Sequence, residues 1–122
     1  MEATVLVIED DPLAARLLEY QLGSEGYRTV VASNGIQGLR MCQEERPDLV
    51  LLDLMLPGMD GFEVLGRLRS DPRTADIPVV IVSAKTDLAD QEMAARMGAS
   101  AYLTKPFQRD ELAETLRSLI GE

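Results

Sequence analysis

The chain has 122 residues, 46% apolar and 27% charged, enough for one domain with a single sizeable core. Its formal charge of −9 argues against a module that grips phosphate backbones through Lys and Arg, and reads as a solvated acidic surface. The absence of histidine excludes His-ligated metals and His-based triads, so any phosphohistidine chemistry needs a histidine on another molecule.

No apolar run reaches the roughly 18 residues of a membrane span, and the N-terminus lacks a basic-then-apolar signal pattern. A cytoplasmic location is therefore expected. The single cysteine, Cys42, fits that compartment and leaves no partner for an intramolecular disulfide.

In chain order, residues 4–8 (TVLVI) read as a short strand that ends in Glu9, Asp10 and Asp11. Pro12 suits the first turn of a helix and the acids suit its positive end, with Leu13, Leu17, Leu18 and Leu22 recurring at helical spacing up to Gly23 and Gly26. Residues 27–32 form a second strand, followed by the turn Ser33-Asn34-Gly35. A helix over about 36–45 places Leu39 and Cys42 on its core face, where Cys42 acts as a small apolar residue.

After Pro47 comes the most informative stretch, Leu49 to Gly61, LVLLDLMLPGMDG. Four consecutive aliphatic residues predict a parallel strand covered on both faces. Asp53 ends that run, and a carboxylate there is costly unless it is paired, hydrogen-bonded or metal-bound. Pro57-Gly58 marks a turn, and Asp60 can cap the helix carrying Phe62, Val64, Leu65 and Leu68, which Ser70-Asp71-Pro72 ends. Residues 79–83 (VVIVS) form a fourth strand and residues 87–97 a more polar helix, with Leu88, Met93, Ala94 and Met97 as its apolar contribution and Gly98 as its stop. Residues 101–104 (AYLT) form the last strand, before Lys105-Pro106-Phe107 and a closing helix over 109–120 with Leu112, Leu116, Leu119 and Ile120. Five strands alternating with five helices predict an α/β fold, a parallel sheet with helices on both faces, and one domain over residues 1–122.

The strand ends carry the chemistry. Glu9-Asp10, Asp53, Ser83-Ala84 and Lys105-Pro106 follow the first, third, fourth and fifth strands, at the edge where open α/β sheets bind ligands. If those strands are neighbours, three carboxylates, a hydroxyl and an ammonium meet in one cleft.

In order and spacing, Glu9-Asp10, Asp53 with the following LPGMDG, Ser83-Ala84 and Lys105-Pro106-Phe107 resemble the signature of the receiver domain of bacterial two-component response regulators. The resemblance covers essentially the whole chain. It implies a doubly wound, flavodoxin-like sheet in the order 2-1-3-4-5, a topology that a member of this family illustrates. It also implies a phosphoryl-accepting switch that is not an enzyme beyond its own phosphorylation and dephosphorylation. Asp53 would take the phosphoryl group from a histidine kinase or a histidine phosphotransfer protein. Glu9, Asp10, Asp53 and the Met55 backbone carbonyl would hold Mg²⁺ or Mn²⁺, with Glu9 acting through water; Asp11 would remain a helix-terminal charge. Glu9 stands where aspartate is commoner and keeps the charge. Lys105 would meet a phosphoryl oxygen, Ser83 would bond the phosphoryl group, and Tyr102 would swing inward as that hydroxyl moves. The Lys105-Pro106 bond is cis in the family.

An unidentified output protein or domain would then read the face formed by the fourth helix, fifth strand and fifth helix, and a phosphorylation-dependent dimer is compatible with that scheme. Ser100-Ala101 stands where the winged-helix transcription-factor branch usually has an acidic pair, so the sequence supports neither that branch's charged dimer contacts nor membership of it.

Three other readings fit less well. A phosphorylation-independent binding module on the same fold would have lost an acidic-pocket residue or Lys105, and none is lost. A haloacid-dehalogenase-type phosphatase needs a second aspartate two residues after the first, where this chain has Met55. A flavin carrier needs a hydroxyl- and glycine-rich phosphate loop after the first strand, where Glu9, Asp10 and Asp11 would repel a flavin phosphate.

Overall fold

The computed structural model describes residues 2–121. Five strands, β1 (Thr4–Ile8), β2 (Arg28–Ala32), β3 (Leu49–Asp53), β4 (Val79–Ser83) and β5 (Ala101–Thr104), alternate with α1 (Pro12–Ser24), α2 (Gly35–Glu45), α3 (Gly61–Ser70), α4 (Leu88–Arg96) and α5 (Arg109–Ile120). The strands form one parallel sheet in the order β2-β1-β3-β4-β5. This is the strand order that the family resemblance implied, on the parallel sheet that the alternation of elements predicted.

Side chains alternate across each strand, so one sheet feeds two cores. Leu6, Ile8, Val50, Leu52 and Ile81 face Cys42 of α2, Val64, Leu65 and Leu68 of α3, and Ala94 of α4. Val5, Val7, Leu49, Leu51, Val80 and Val82 face Leu18 and Leu22 of α1 and Leu112 and Leu116 of α5. Residues of β3 and β4 are buried along their full length, which is why these strands read as unbroken apolar runs. At about 1.5–3 kcal/mol for each fully buried large apolar side chain, these two layers dominate the stabilisation.

Side-chain caps start the first three helices. Asp11, Asn34 and Asp60 accept from the backbone N–H groups of Leu13, Gln37 and Glu63, at 3.1, 2.8 and 3.0 Å. The backbone of Gly58 adopts φ +75° in the β3–α3 loop, a region glycine reaches without strain.

Two helices bury less than their sequence pattern suggests. Leu13 and Leu17 of α1 are 78% and 57% exposed, because Ala15, Leu18 and Leu22 already fill the contact with the sheet. Leu88 and Met93 of α4 are also exposed, and Ala94 is that helix's buried residue.

Burial pushes the Cys42 thiol up to about 11 from an ordinary value near 9. Because the folded-state pKa is raised, the unfolded chain ionises first as pH climbs past 9. Stability linked to this thiol is thus full below pH 9 and is lost between 9 and about 11, by about 2–3 kcal/mol in total. Urea unfolding of the wild type and Cys42→Ala across that interval should show the steeper loss in the wild type; equal slopes would contradict a buried, neutral thiol.

Candidate functional site

The carboxyl edge of the sheet brings Glu9, Asp10, Asp53, Ser83 and Lys105 together, each within two residues of a strand end. Order β1-β3-β4-β5 makes their strands consecutive neighbours. The β1–β3 register pairs Ile8 with Leu52, placing Glu9 beside Asp53 in the next row. Likewise, β4 pairs Ser83 with Thr104, one residue before Lys105, and the Lys105 N–H donates to the Ser83 carbonyl at 2.8 Å.

Lys105 joins the two buried acids. Its Nζ lies 2.9 Å from Glu9 Oε1 and 3.2 Å from Asp53 Oδ2, while Glu9 and Asp53 are only 4% and 8% exposed. The second Asp53 oxygen, Oδ1, accepts from the Met55 N–H at 2.9 Å, so this carboxylate caps its own loop besides meeting the lysine. Glu9 Oε2 accepts from the Asp11 N–H at 3.2 Å. Glu9, Asp10 and Asp53 each place a carboxylate oxygen within 4.8 Å of the others. One ammonium therefore faces three carboxylates, and two negative charges stay uncompensated.

Burial, together with that imbalance, sets the titration tendencies. Burial raises the Glu9 pKa most strongly and Asp53 adds to the rise, while Lys105 and the Asp11 N–H work against it. For Lys105, burial disfavours the ammonium, but the Glu9 hydrogen bond and the charges of Asp53 and Glu9 outweigh it, and its pKa lies above the ordinary value. A hard, oxygen-seeking divalent cation suits such a donor set better than the lone lysine does.

On the far side of the cleft, Ser83 is fully buried and its Oγ accepts from the Lys85 N–H at 3.1 Å. Tyr102 is half-buried on the edge strand β5, and its hydroxyl donates to the Lys85 carbonyl at 2.9 Å. Burial raises this phenol's pKa, against the Ser83 hydroxyl and with the charges of Asp90, Asp53 and Asp87. The Met55 side chain is exposed, and its backbone N–H is what meets Asp53. Asp11 caps α1, and the Lys105-Pro106 peptide is cis.

Sequence reasoning passed over the apolar ground beside the cleft. A cavity of about 480 Å³ lies between α1 and the loop after β5, lined by Leu17, Leu18, Pro106 and Phe107, with Lys105 and Ala84 on its wall. The exposure of Leu13 and Leu17 continues this apolar ground. Their helical spacing signals a buried face, and nothing local distinguishes a core leucine from one left open.

No helix among the described residues is long and apolar enough to cross a membrane. The family model for the response regulator receiver domain matches residues 5–117. The chain is 43% identical over 116 residues to the DNA-binding dual master transcriptional regulator RpaA of Synechocystis sp., covering 95% of this chain and 48% of RpaA. It is 44% identical over 118 residues to the DNA-binding response regulator MtrA of Mycolicibacterium smegmatis, covering 97% of this chain and 50% of MtrA. The chain thus spans about half the length of these relatives.

Among solved structures, the receiver domain of the sensor histidine kinase PA1611 from Pseudomonas aeruginosa PAO1 superposes with a TM-score of 0.92 at 32% identity over the whole of both chains. That structure holds a magnesium ion in its active-site cleft. The Francisella response regulator 1452 receiver domain gives 0.91 at 31% identity, covering 98% of each chain. The order of the strands, the acidic cleft at their carboxyl edge and these likenesses agree: the chain belongs to the response regulator receiver domain family.

Proposed function

We propose that residues 1–122 act as one receiver domain whose phosphoryl acceptor is Asp53, and that the pairing of Asp53 with Lys105 in a three-carboxylate cleft is the observation that carries this reading. An ionised aspartate is a competent nucleophile toward phosphorus. The donor is a phosphohistidine on a histidine kinase or phosphotransfer protein, since this chain has no histidine. An Asp53 carboxylate oxygen attacks the phosphorus, the new O–P bond forms as the N–P bond breaks, and the departing imidazole takes up a proton. The exposed Leu13 and Leu17, with the apolar cleft next to Lys105, give the donor a landing surface close to the acceptor.

Glu9, Asp10, Asp53 and the Met55 carbonyl would hold Mg²⁺ or Mn²⁺, which fits a set of hard oxygen donors carrying surplus negative charge. When bound, the ion neutralises charge on the transferring group. Lys105 then turns from the carboxylates toward a phosphoryl oxygen, which it meets as a point charge. Ser83 offers its hydroxyl from the opposite wall.

The new charge at Asp53 draws Ser83 and Lys105 inward. Ser83 is tied to the Lys85 N–H, and the Lys85 carbonyl to Tyr102, so movement at Ser83 reaches β5 within two hydrogen bonds. Helix α4, held by little buried surface, can shift in response. We therefore place the output surface on α4, β5 and α5. The relatives' DNA-binding function belongs to those longer proteins; this acidic domain would pass its signal to another protein or domain, in the cytoplasm, and its only catalysis would be its own phosphorylation and dephosphorylation. A dimer formed on phosphorylation fits the same scheme.

Incubation with acetyl phosphate and Mg²⁺ should add one phosphoryl group by intact mass, and Asp53→Asn should remove it; a folded wild type that gains no adduct and binds no beryllofluoride would contradict the reading. Calorimetry should show Mg²⁺ affinity falling about tenfold or more in Asp10→Asn, since one ligand charge is lost, whereas Lys105→Met should bind Mg²⁺ at least as tightly as the wild type but phosphorylate more slowly. Weaker Mg²⁺ binding in Lys105→Met would argue against the lysine competing with the ion for these carboxylates.

A further inference from the structure

We infer that Gly61 is a positioning residue for the acceptor: its lack of a side chain lets the first turn of α3 press against the Asp53–Leu54 peptide and fix the run that carries the Asp53 carboxylate. The inference rests on Asp53 being the phosphoryl acceptor.

Gly61 opens α3, and its N–H donates to the Leu54 carbonyl at 3.0 Å. A Cβ placed on it would lie 2.5 Å from the Leu54 Cα and 2.6 Å from the Asp53 carbonyl oxygen. Both atoms are backbone, so neither can turn aside as a flexible side chain can. Gly38 offers a contrast: its Cβ would meet the end of the Ile8 side chain, at 2.5 Å from Cδ1. Gly61 also does not adopt a left-handed conformation, so close approach rather than backbone freedom explains the glycine.

The contact sits one step from the chemistry. Asp53 Oδ1 accepts from the Met55 N–H, so the carboxylate is oriented within the Asp53–Met55 run, whose first two residues Gly61 presses on. Asp60 holds the helix side of this junction by capping the Glu63 N–H. Any side chain at position 61 must part α3 from the acceptor peptide or displace that peptide. Displacement moves Asp53 relative to Lys105 and the other carboxylates, where displacements of about 1 Å cost about a hundredfold in rate.

The test compares the wild type, Gly61→Ala and Leu116→Ala, the last a core change on α5 away from the cleft, under conditions where each is folded by circular dichroism. Gly61→Ala should lower the acetyl phosphate reaction rate by between about tenfold and a hundredfold and weaken Mg²⁺ binding by calorimetry, whereas Leu116→Ala should lose thermal stability and keep both. Wild-type rate and affinity in Gly61→Ala would overturn the inference while leaving Asp53 as acceptor; a wild type that forms no adduct would overturn the acceptor assignment itself. Should Gly61→Ala not fold, amide exchange in the wild type decides: exchange of the Gly61 N–H as slow as that of core amides supports the contact, and exchange as fast as that of open loop amides refutes it.

Discussion

Everything at the carboxyl edge depends on one ammonium shared by two buried carboxylates. Lys105 sits 2.9 Å from Glu9 and 3.2 Å from Asp53, and Asp10 adds a third acid without adding a second cation. Burying unpaired charge costs several kcal/mol, so this cluster is tolerable only because Lys105, the Met55 N–H and the Asp11 N–H each supply a partner. The arrangement is also unbalanced: its surplus negative charge favours a cation. A switch needs such a site, stable enough to fold around and unbalanced enough to respond.

The sheet supplies the rigid half of that combination. Four neighbouring strands bring residues from positions 9, 53, 83 and 105 into one cleft, and two apolar layers hold those strands in register. The α4–β5 side supplies the compliant half. There one alanine is the buried residue of α4, and two hydrogen bonds link the cleft hydroxyl to the edge-strand tyrosine. Firm packing around the acidic cleft, with looser packing on the α4–β5 side, follows from how the apolar residues are distributed.

Much of this is legible in the sequence. The run Leu49–Asp53 announced a buried parallel strand ending in an acid, Asp60 announced a helix start, and alternation of elements fixed the fold class. What the strand ends meant emerged only from their combination, because each acid or lysine alone has an ordinary surface explanation. Other features depended on long-range packing and left no local trace. Arg69 reads as a charge at a helix end, yet its guanidinium donates to the carbonyls of Gly98, Ala75 and Ile77 and ties α3 to the start of β4 and the end of α4. Leu13 and Leu17 misled for the opposite reason: their spacing matches a core face, but the sheet under α1 is already filled by smaller and later residues. That Lys105 would reach Glu9 as well as Asp53 likewise needed the β1–β3 register and the turn after β5.

Asp53 as the atom-level acceptor is the claim on which the rest stands, and chemical trapping of the acyl phosphate tests it most directly. After reaction with acetyl phosphate and Mg²⁺, borohydride reduction converts a phosphorylated aspartate to homoserine, which peptide mass spectrometry locates. Homoserine at position 53, and at no other acid, is the predicted result. Homoserine at Asp10 or Glu9's reduced counterpart in its place, or no reduced residue in a protein that carries the phosphoryl mass, would contradict it.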